Sequence, residues 1–375
     1  MLPASRPTIL PSDPKAGYLA AQAEIDAAIK RVMHSGHYIL GPELDAFEKE
    51  FSHWLGTAGT VGVANGTDAI ELALHAAGIG PGDKVVTVAN TVTATASAIG
   101  ATGARPMFVD IEPDTMVMDL RALEELLTTL RDPKIKAVVP VHLYGQAVDM
   151  PRLMEQARLH NLLVVEDCAQ AHGAVVGGKK AGTWGQLAAF SFYPTKNLGA
   201  FGDAGAVAGS EPVLLEKVRL LRQYGWRKRY VSDHPGRNSR LDELQAAILR
   251  VRLAHLEAEN ARRAVIAQHY LEALKGSPLH LPATAEGRTH CWHQFVVRTP
   301  RRDDLQAHLA RKDILCGVLY PVPIHRQPAY HDAGLSLPVT EHACAEVLSL
   351  PLHPGLSDED VARVVREVQG FFSTL

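Results

Sequence analysis

The sequence predicts an α/β fold: a mostly parallel sheet covered by helices on both faces, followed by a smaller α/β unit. Three observations carry this. Short runs that are apolar on both faces recur through the first 240 residues, as strands buried from both sides do. Helical patterns alternate with them and supply the crossovers that parallel strands need. Beyond about Asn238 the texture changes to a long pattern rich in Ala, Leu, Glu and Arg. A boundary inside that pattern divides the chain into a large domain, 1–250, and a small C-terminal domain, 251–375.

The elements follow in order. Leu44, Phe47, Phe51 and Leu55 recur at three- and four-residue steps, so 43–55 reads as an amphipathic helix, with Pro42 suited to its first turn and Gly56 to its stop. Strands are predicted at 60–63, 84–88, 106–109, 137–141, 162–165, 188–192 and 205–208, with helices at 67–77, 119–130 and 149–160 between them. The tail reads as a long helix over 241–272, a strand at 293–297 and a helix at 303–311. A proline-rich stretch at 320–328 and a last helix from Asp358 complete it.

Bulk properties exclude several classes. Hydrophobic residues make up 46% of the 375 and charged residues 21%, which suits a soluble protein with a large core. The formal net charge is −3 with no block of like charge, which argues against a nucleic-acid footprint and a basic membrane-binding surface. The longest apolar runs are far too short to span a bilayer. Prolines and charges interrupt the first 22 residues, so no signal peptide is expected. Cys168, Cys291, Cys316 and Cys344 lack paired spacing and read as reduced thiols of a cytoplasmic protein, not as a metal site or disulfide frame.

Three segments could carry chemistry. Ser191-Phe192-Tyr193-Pro194-Thr195-Lys196 leaves an apolar strand for a glycine-rich loop. Burial lowers a lysine's pKa, and a neutral amine can form a Schiff base; most lysines that follow a strand are nonetheless solvated. Glu166-Asp167-Cys168-Ala169-Gln170-Ala171-His172-Gly173 places Asp167 at a strand's carboxyl end, where α/β sheets bind ligands. There Asp167 could hold a pyridinium nitrogen protonated, or simply cap the following turn. Asn65-Gly66-Thr67-Asp68 runs from a strand end into a helix whose first N–H groups suit a phosphate, although Thr67 or Asp68 could be a plain N-cap. Ser191 adds a second hydroxyl if the strands are neighbours. The turn at 63–68 lacks the G-x-G-x-x-G of a nicotinamide dehydrogenase.

Taken together, these segments resemble the DegT/DnrJ/StrS sugar aminotransferases. The resemblance also covers His142-Leu143-Tyr144-Gly145-Gln146, Pro194-Thr195-Lys196-Asn197-Leu198-Gly199 and Asn238-Ser239-Arg240-Leu241-Asp242-Glu243. The tail Tyr320-Pro321-Val322-Pro323-Ile324-His325-Arg326 matches as well, and the order is kept from about residue 35 onward.

The resemblance implies the pyridoxal-5′-phosphate-dependent transferase fold of type I, a cytoplasmic homodimer with a shared active site, and transfer of an amino group from L-glutamate to a nucleotide-linked keto sugar. It assigns Lys196 as the Schiff-base lysine, Asp167 as partner of the ring nitrogen and Gln170 as the glutamine beside the ring. Gly66, Thr67 and Ser191 match phosphate ligands, and Asn238 a phosphate contact arriving from the other subunit. Tyr320 and His325 match the sugar pocket, although His325 reads equally as a packed surface histidine. Residues 223–230 with Asn238 to Gln245 look most like relatives acting at C3 of dTDP-3-keto-6-deoxyhexoses; amination at C4 and a regulatory protein that binds cofactor without turnover are the alternatives. Lys196 separates the chain from dehydratase relatives that carry histidine there. One departure stands out: the family usually places a stacking aromatic ring where this chain has Val92.

Overall fold

The computed structural model describes residues 8–373; the first seven, part of the stretch on which the signal-peptide expectation rests, lie outside. Seven strands form one sheet in the spatial order Gly59–Val63, Gly205–Gly209, Leu187–Ser191, Leu163–Asp167, Ile135–Val138, Lys84–Val88, Arg105–Val109. Gly205–Gly209 runs antiparallel to both its neighbours; the remaining pairs are parallel. All seven expected strands are therefore present, each within a few residues of its predicted bounds.

Alternation along the strands explains the double burial. Val86, Val88 and Phe190 face a layer built with Leu44, Phe47 and Phe51 of helix Pro42–Leu55. Val85, Leu187 and Ala189 face the opposite layer with Ile70 and Leu74 of helix Gly66–Ala76. Phe47 and Phe51 meet Phe190 and Phe192 edge-on, at centroid distances of 5.0 to 5.4 Å. Helix Pro42–Leu55 stops at Gly56, which adopts φ 88°, a conformation that favours glycine.

The long helix, Glu243–Ala273, serves two cores. Ala246, Leu249 and Leu256 pack with the sheet, whereas Ile266, Ala267 and Tyr270 pack with Phe295, Val297, Leu305 and Val364. Ile9 joins that second core and pairs with Ile314. There the strand Phe295–Arg298 pairs antiparallel with Val347–Leu350. Helices Pro14–Ala20, Gln22–Ser35, Thr93–Ala101, Pro212–Leu221 and Pro338–Glu346 add to the predicted set, and the proline-rich stretch carries 3-10 turns at Ile324–Arg326 and Pro328–Tyr330.

Glu243 joins the two helices that frame the sheet. Its buried carboxylate accepts the N–H groups of Gly41 at 2.8 Å, Glu43 at 2.9 Å and Leu44 at 3.0 Å, at the N-terminus of helix Pro42–Leu55. These donors have no carbonyl of their own helix to satisfy them. Glu243→Ala is expected to destabilise the fold by roughly 3 kcal/mol, because three charge-assisted bonds are lost at a buried site. Urea denaturation checks this, and a loss below about 1 kcal/mol would show that water replaces the carboxylate.

Candidate active site

The site assembles at the carboxyl ends of the parallel strands. Strand Leu187–Ser191 delivers the segment that carries Lys196, whose N–H donates to Tyr193 carbonyl at 2.8 Å in a tight turn. Asn197 fixes the turn from beneath: its buried amide donates to Asn260 Oδ1 at 2.8 Å and Cys291 carbonyl at 2.9 Å, and its Oδ1 lies 3.1 Å from His293 Nδ1. Burial pushes the Lys196 amine down to about 8, with the Asp167 carboxylate opposing.

Asp167 ends strand Leu163–Asp167 and is buried. Its Oδ2 accepts from Thr95 Oγ1 at 2.9 Å and its Oδ1 from Ala169 N–H at 3.1 Å. Burial holds this carboxyl above the usual carboxylate range, while the Ala169 and Thr95 donors and the nearby Lys196 pull the other way. A cation beside this carboxylate would lower its value. The protein's own groups give the opposite direction, because no cationic side chain of the described residues pairs directly with Asp167. A buried carboxylate with neutral donors on each oxygen fits a protonated ring nitrogen, which would supply the missing cation.

Gly66, Thr67 and Ser191 come together although their strands are not direct neighbours; Gly205–Gly209 runs between them. The meeting depends on two glycines. A side chain at Gly66 would lie 2.6 Å from Ser191 Cβ, and one at Gly205 would strike the Asn65 backbone. Asn65 caps helix Gly66–Ala76, its Oδ1 taking Asp68 N–H at 2.8 Å and its carbonyl taking Ala69 N–H at 3.1 Å. The helix has no carbonyl for the N–H groups of Gly66 and Thr67, so this corner fits a phosphate group.

Gln170 links two further segments. Its Oε1 accepts Tyr144 N–H at 2.6 Å, and its Nε2 donates to Tyr320 Oη at 2.9 Å. Burial raises the Tyr320 phenol to about 12, so it stays neutral near neutral pH. His325 and Asn238 do not join this cluster by any hydrogen bond or ion pair among the described residues. His325 is fully buried, with Nε2 at 3.0 Å from Glu341 Oε1. Asn238 is exposed; its neighbour Arg237 pairs with Asp68 and Glu71, and Ser239 Oγ accepts Ala64 N–H at 3.1 Å. Val92 is 40% exposed at the start of helix Thr93–Ala101.

Glu166 plays a different part from its neighbour. It accepts N–H groups from Gly182, Trp184 and Gly185 at 2.7 to 2.8 Å and contacts His142 Nε2 at 3.0 Å. Its carboxylate is saturated, so the grouping of His142, Glu166 and Cys168 works as a structural clasp. Sequence reasoning missed Thr95, Asn197 and the Tyr144 N–H. Thr95 lies three residues beyond Val92 in helix Thr93–Ala101, a run of small residues whose pattern does not mark it. Tyr144 takes φ 59°, which nothing in its local sequence announces.

Several proteins resemble this chain in sequence and architecture. A crystal structure of DesV from Streptomyces venezuelae in complex with a ketimine intermediate superposes with TM-score 0.95 at 46% identity, covering 99% of this chain and 100% of that one. A dTDP-3-amino-3,4,6-trideoxy-alpha-D-glucose transaminase of Streptomyces venezuelae is 48% identical over 361 residues, 95% of this chain and 94% of its own. A dTDP-3-amino-3,6-dideoxy-alpha-D-galactopyranose transaminase of Aneurinibacillus thermoaerophilus is 45% identical over 351 residues, 93% and 96% of the two chains. The molecule is a pyridoxal-phosphate-dependent aminotransferase of fold type I. Residues 20–369 match the DegT/DnrJ/EryC1/StrS aminotransferase family, and the chain belongs to it.

Proposed function

We propose that this chain transfers an amino group from L-glutamate to C3 of a dTDP-linked 3-keto-6-deoxyhexose. The observation that carries the reading is that Lys196, its amine eased toward neutrality by burial, lies near the buried carboxylate of Asp167, whose oxygens take only neutral donors among the described residues. The relatives named above, both 3-amino-sugar transaminases, support the C3 assignment.

Pyridoxal phosphate, when bound, supplies an aldehyde that takes up the amino group and a ring that absorbs the electron pair left as an α-proton departs. Asp167 would hold a proton on the ring nitrogen. Gly66, Thr67 and Ser191 would bind the phosphate. Gln170, its amide fixed between Tyr144 N–H and Tyr320 Oη, would lie beside the ring. Lys196 Nζ takes the α-proton of the donor and returns a proton in the second half, where the sugar's carbonyl carbon becomes the amine-bearing carbon. Glutamate leaves as 2-oxoglutarate, so the two halves balance.

Further parts of the reading concern assembly and place. A homodimer with a shared site is proposed, each copy lending Asn238 to the other; its exposure in the single chain supports this. Tyr320 is assigned to the sugar pocket through its bond to Gln170, and His325 to the same wall, where its Nδ1 has no partner among the described residues. A domain boundary inside the long helix is supported by its change of cores, which falls between Leu256 and Ile266, a little beyond the expected residue 250. Free thiols at all four cysteines support a cytoplasmic setting, and among the described residues no helix is long and apolar enough to cross a membrane.

Incubation of the purified protein with L-glutamate and either the 3-keto or the 4-keto dTDP sugar tests the substrate. Amino sugar is expected from the 3-keto compound; product from the 4-keto sugar alone would replace C3 by C4. Glutamate itself should discharge the visible absorption of the lysine-bound cofactor, and an unchanged spectrum would favour a binding protein without turnover.

A further inference from the structure

A cavity of about 170 Å³ opens where segment 12–20, the turn 194–196, helix Glu243–Ala273 and residues 353–355 meet. One face of the helix lends it Arg252, Glu259 and Arg263, and His353 closes it from another segment. Arg263 is 5% exposed, and no carboxylate of the described residues pairs directly with it. Its Nη1 donates to Leu352 carbonyl at 3.2 Å, while its Nε has no acceptor. Arg252, 8% exposed, gives Nη2 to Glu259 at 3.0 Å, and its Nε is equally without a partner. The Nδ1 of His353, 7% exposed, is a third buried nitrogen in the same state.

Two guanidiniums therefore line this space, and only Arg252 has a carboxylate, Glu259, paired to it. The other acid of the lining, Asp13, takes Ala16 N–H at 3.0 Å and makes no ion pair with either guanidinium among the described residues. A guanidinium keeps its charge in proteins, and a buried charge without a counter-charge is costly. Burial draws Arg263 down to about 10, with Glu259 opposing, which is the mark of a cation short of an anion. Gly17 lets segment 12–20 close on Arg252, since any side chain there would overlap its guanidinium.

We propose that this cavity binds a small oxyanion, a carboxylate or an inorganic ion of similar size, between Arg263, Arg252 and His353. The space is large enough for one such group together with several waters. Thr195 and Lys196 line the same cavity, so the ion rests against the turn that carries the lysine. The inference stands on the buried guanidiniums and holds whichever sugar the enzyme aminates.

Crystals of the cofactor-loaded protein, its phosphate corner thereby filled, are soaked in selenate and the selenium is located by anomalous scattering. A peak within hydrogen-bond reach of Arg263 is expected. In solution, selenate and formate should raise the melting temperature of the loaded wild type by about 2 °C at ten times their dissociation constant. Arg263→Met should lose that rise. A second soak with added L-glutamate separates the sources: loss of the selenium peak assigns the cavity to the donor's carboxylate, and its persistence to a free anion. Selenium found only on the surface at saturating concentration would overturn the proposal, even if the variant proves too unstable to purify.

Discussion

Lys196→Ala and Lys196→Arg are both expected to abolish turnover, by on the order of 10⁴-fold or more, the upper range for a positioned proton-transfer group. The alanine variant has no amine to bond the cofactor's aldehyde or to carry the α-proton. The arginine variant keeps a charge but offers a guanidinium that does not become neutral in the working pH range. Both should lack the visible band of lysine-bound cofactor, and borohydride reduction of the wild type should label the peptide containing Lys196. The depressed amine adds a pH signature. Only the neutral form attacks an aldehyde, so cofactor capture by the apoprotein should speed up as pH rises, with a midpoint near 8. A midpoint near the ordinary lysine value would mean that solvent reaches the amine. Full activity in either variant would remove Lys196 from the chemistry.

Asp167→Asn is expected to move activity and stability in opposite directions. Asparagine keeps the shape, its one oxygen accepting Ala169 N–H while its amide turns to donate to Thr95 Oγ1, but it cannot hold a proton on a ring nitrogen. A loss of about 10² to 10³-fold in kcat is expected, with KM for the sugar little changed. Stability follows from the sign of the shift. Burial raises this carboxyl above its unfolded value, so the fold favours the protonated form. The resulting penalty is absent in acid and grows as pH rises through the ordinary carboxylate range. An amide never ionises and escapes it. The apoprotein of Asp167→Asn should therefore melt higher than wild type at neutral pH, and the two should converge in acid. A lower melting temperature for the variant at neutral pH would place a cation against Asp167 that the structure does not show.

The large sheet was legible because its strands are apolar on both faces, and Val85 with Val86 or Ala189 with Phe190 leave little room for another reading. Its connecting helices announced themselves where a polar face alternates with an apolar one, as at Leu120–Leu130 behind its Asp119 cap. Helix Thr93–Ala101 gave no such sign. It is a run of small residues, several of them fully buried, with no apolar stripe to read. Thr95 was lost with it, although it donates to the buried carboxylate of Asp167. Strand Val347–Leu350 was missed because it is only four residues long and its pairing to Phe295–Arg298 joins segments far apart in sequence. In the site, Lys196, Asp167 and the Gly66 turn stood out by residue type at strand ends. The surroundings of Gln170, and the engagement of His325 with Glu341, depend on segments that only the folded chain brings together.

The glycines at positions 66 and 205 have an effect on how the molecule holds its ligand through life. The corner they create needs two strand ends, delivered by stretches widely spaced along the chain and separated by an antiparallel insertion. No unfolded or half-formed chain can present it. A phosphorylated ligand that needs this corner therefore distinguishes native from denatured molecules almost completely, and by mass action it draws the population toward the native side. Cells short of vitamin B6 should accordingly lose this enzyme to proteolysis as well as to idleness.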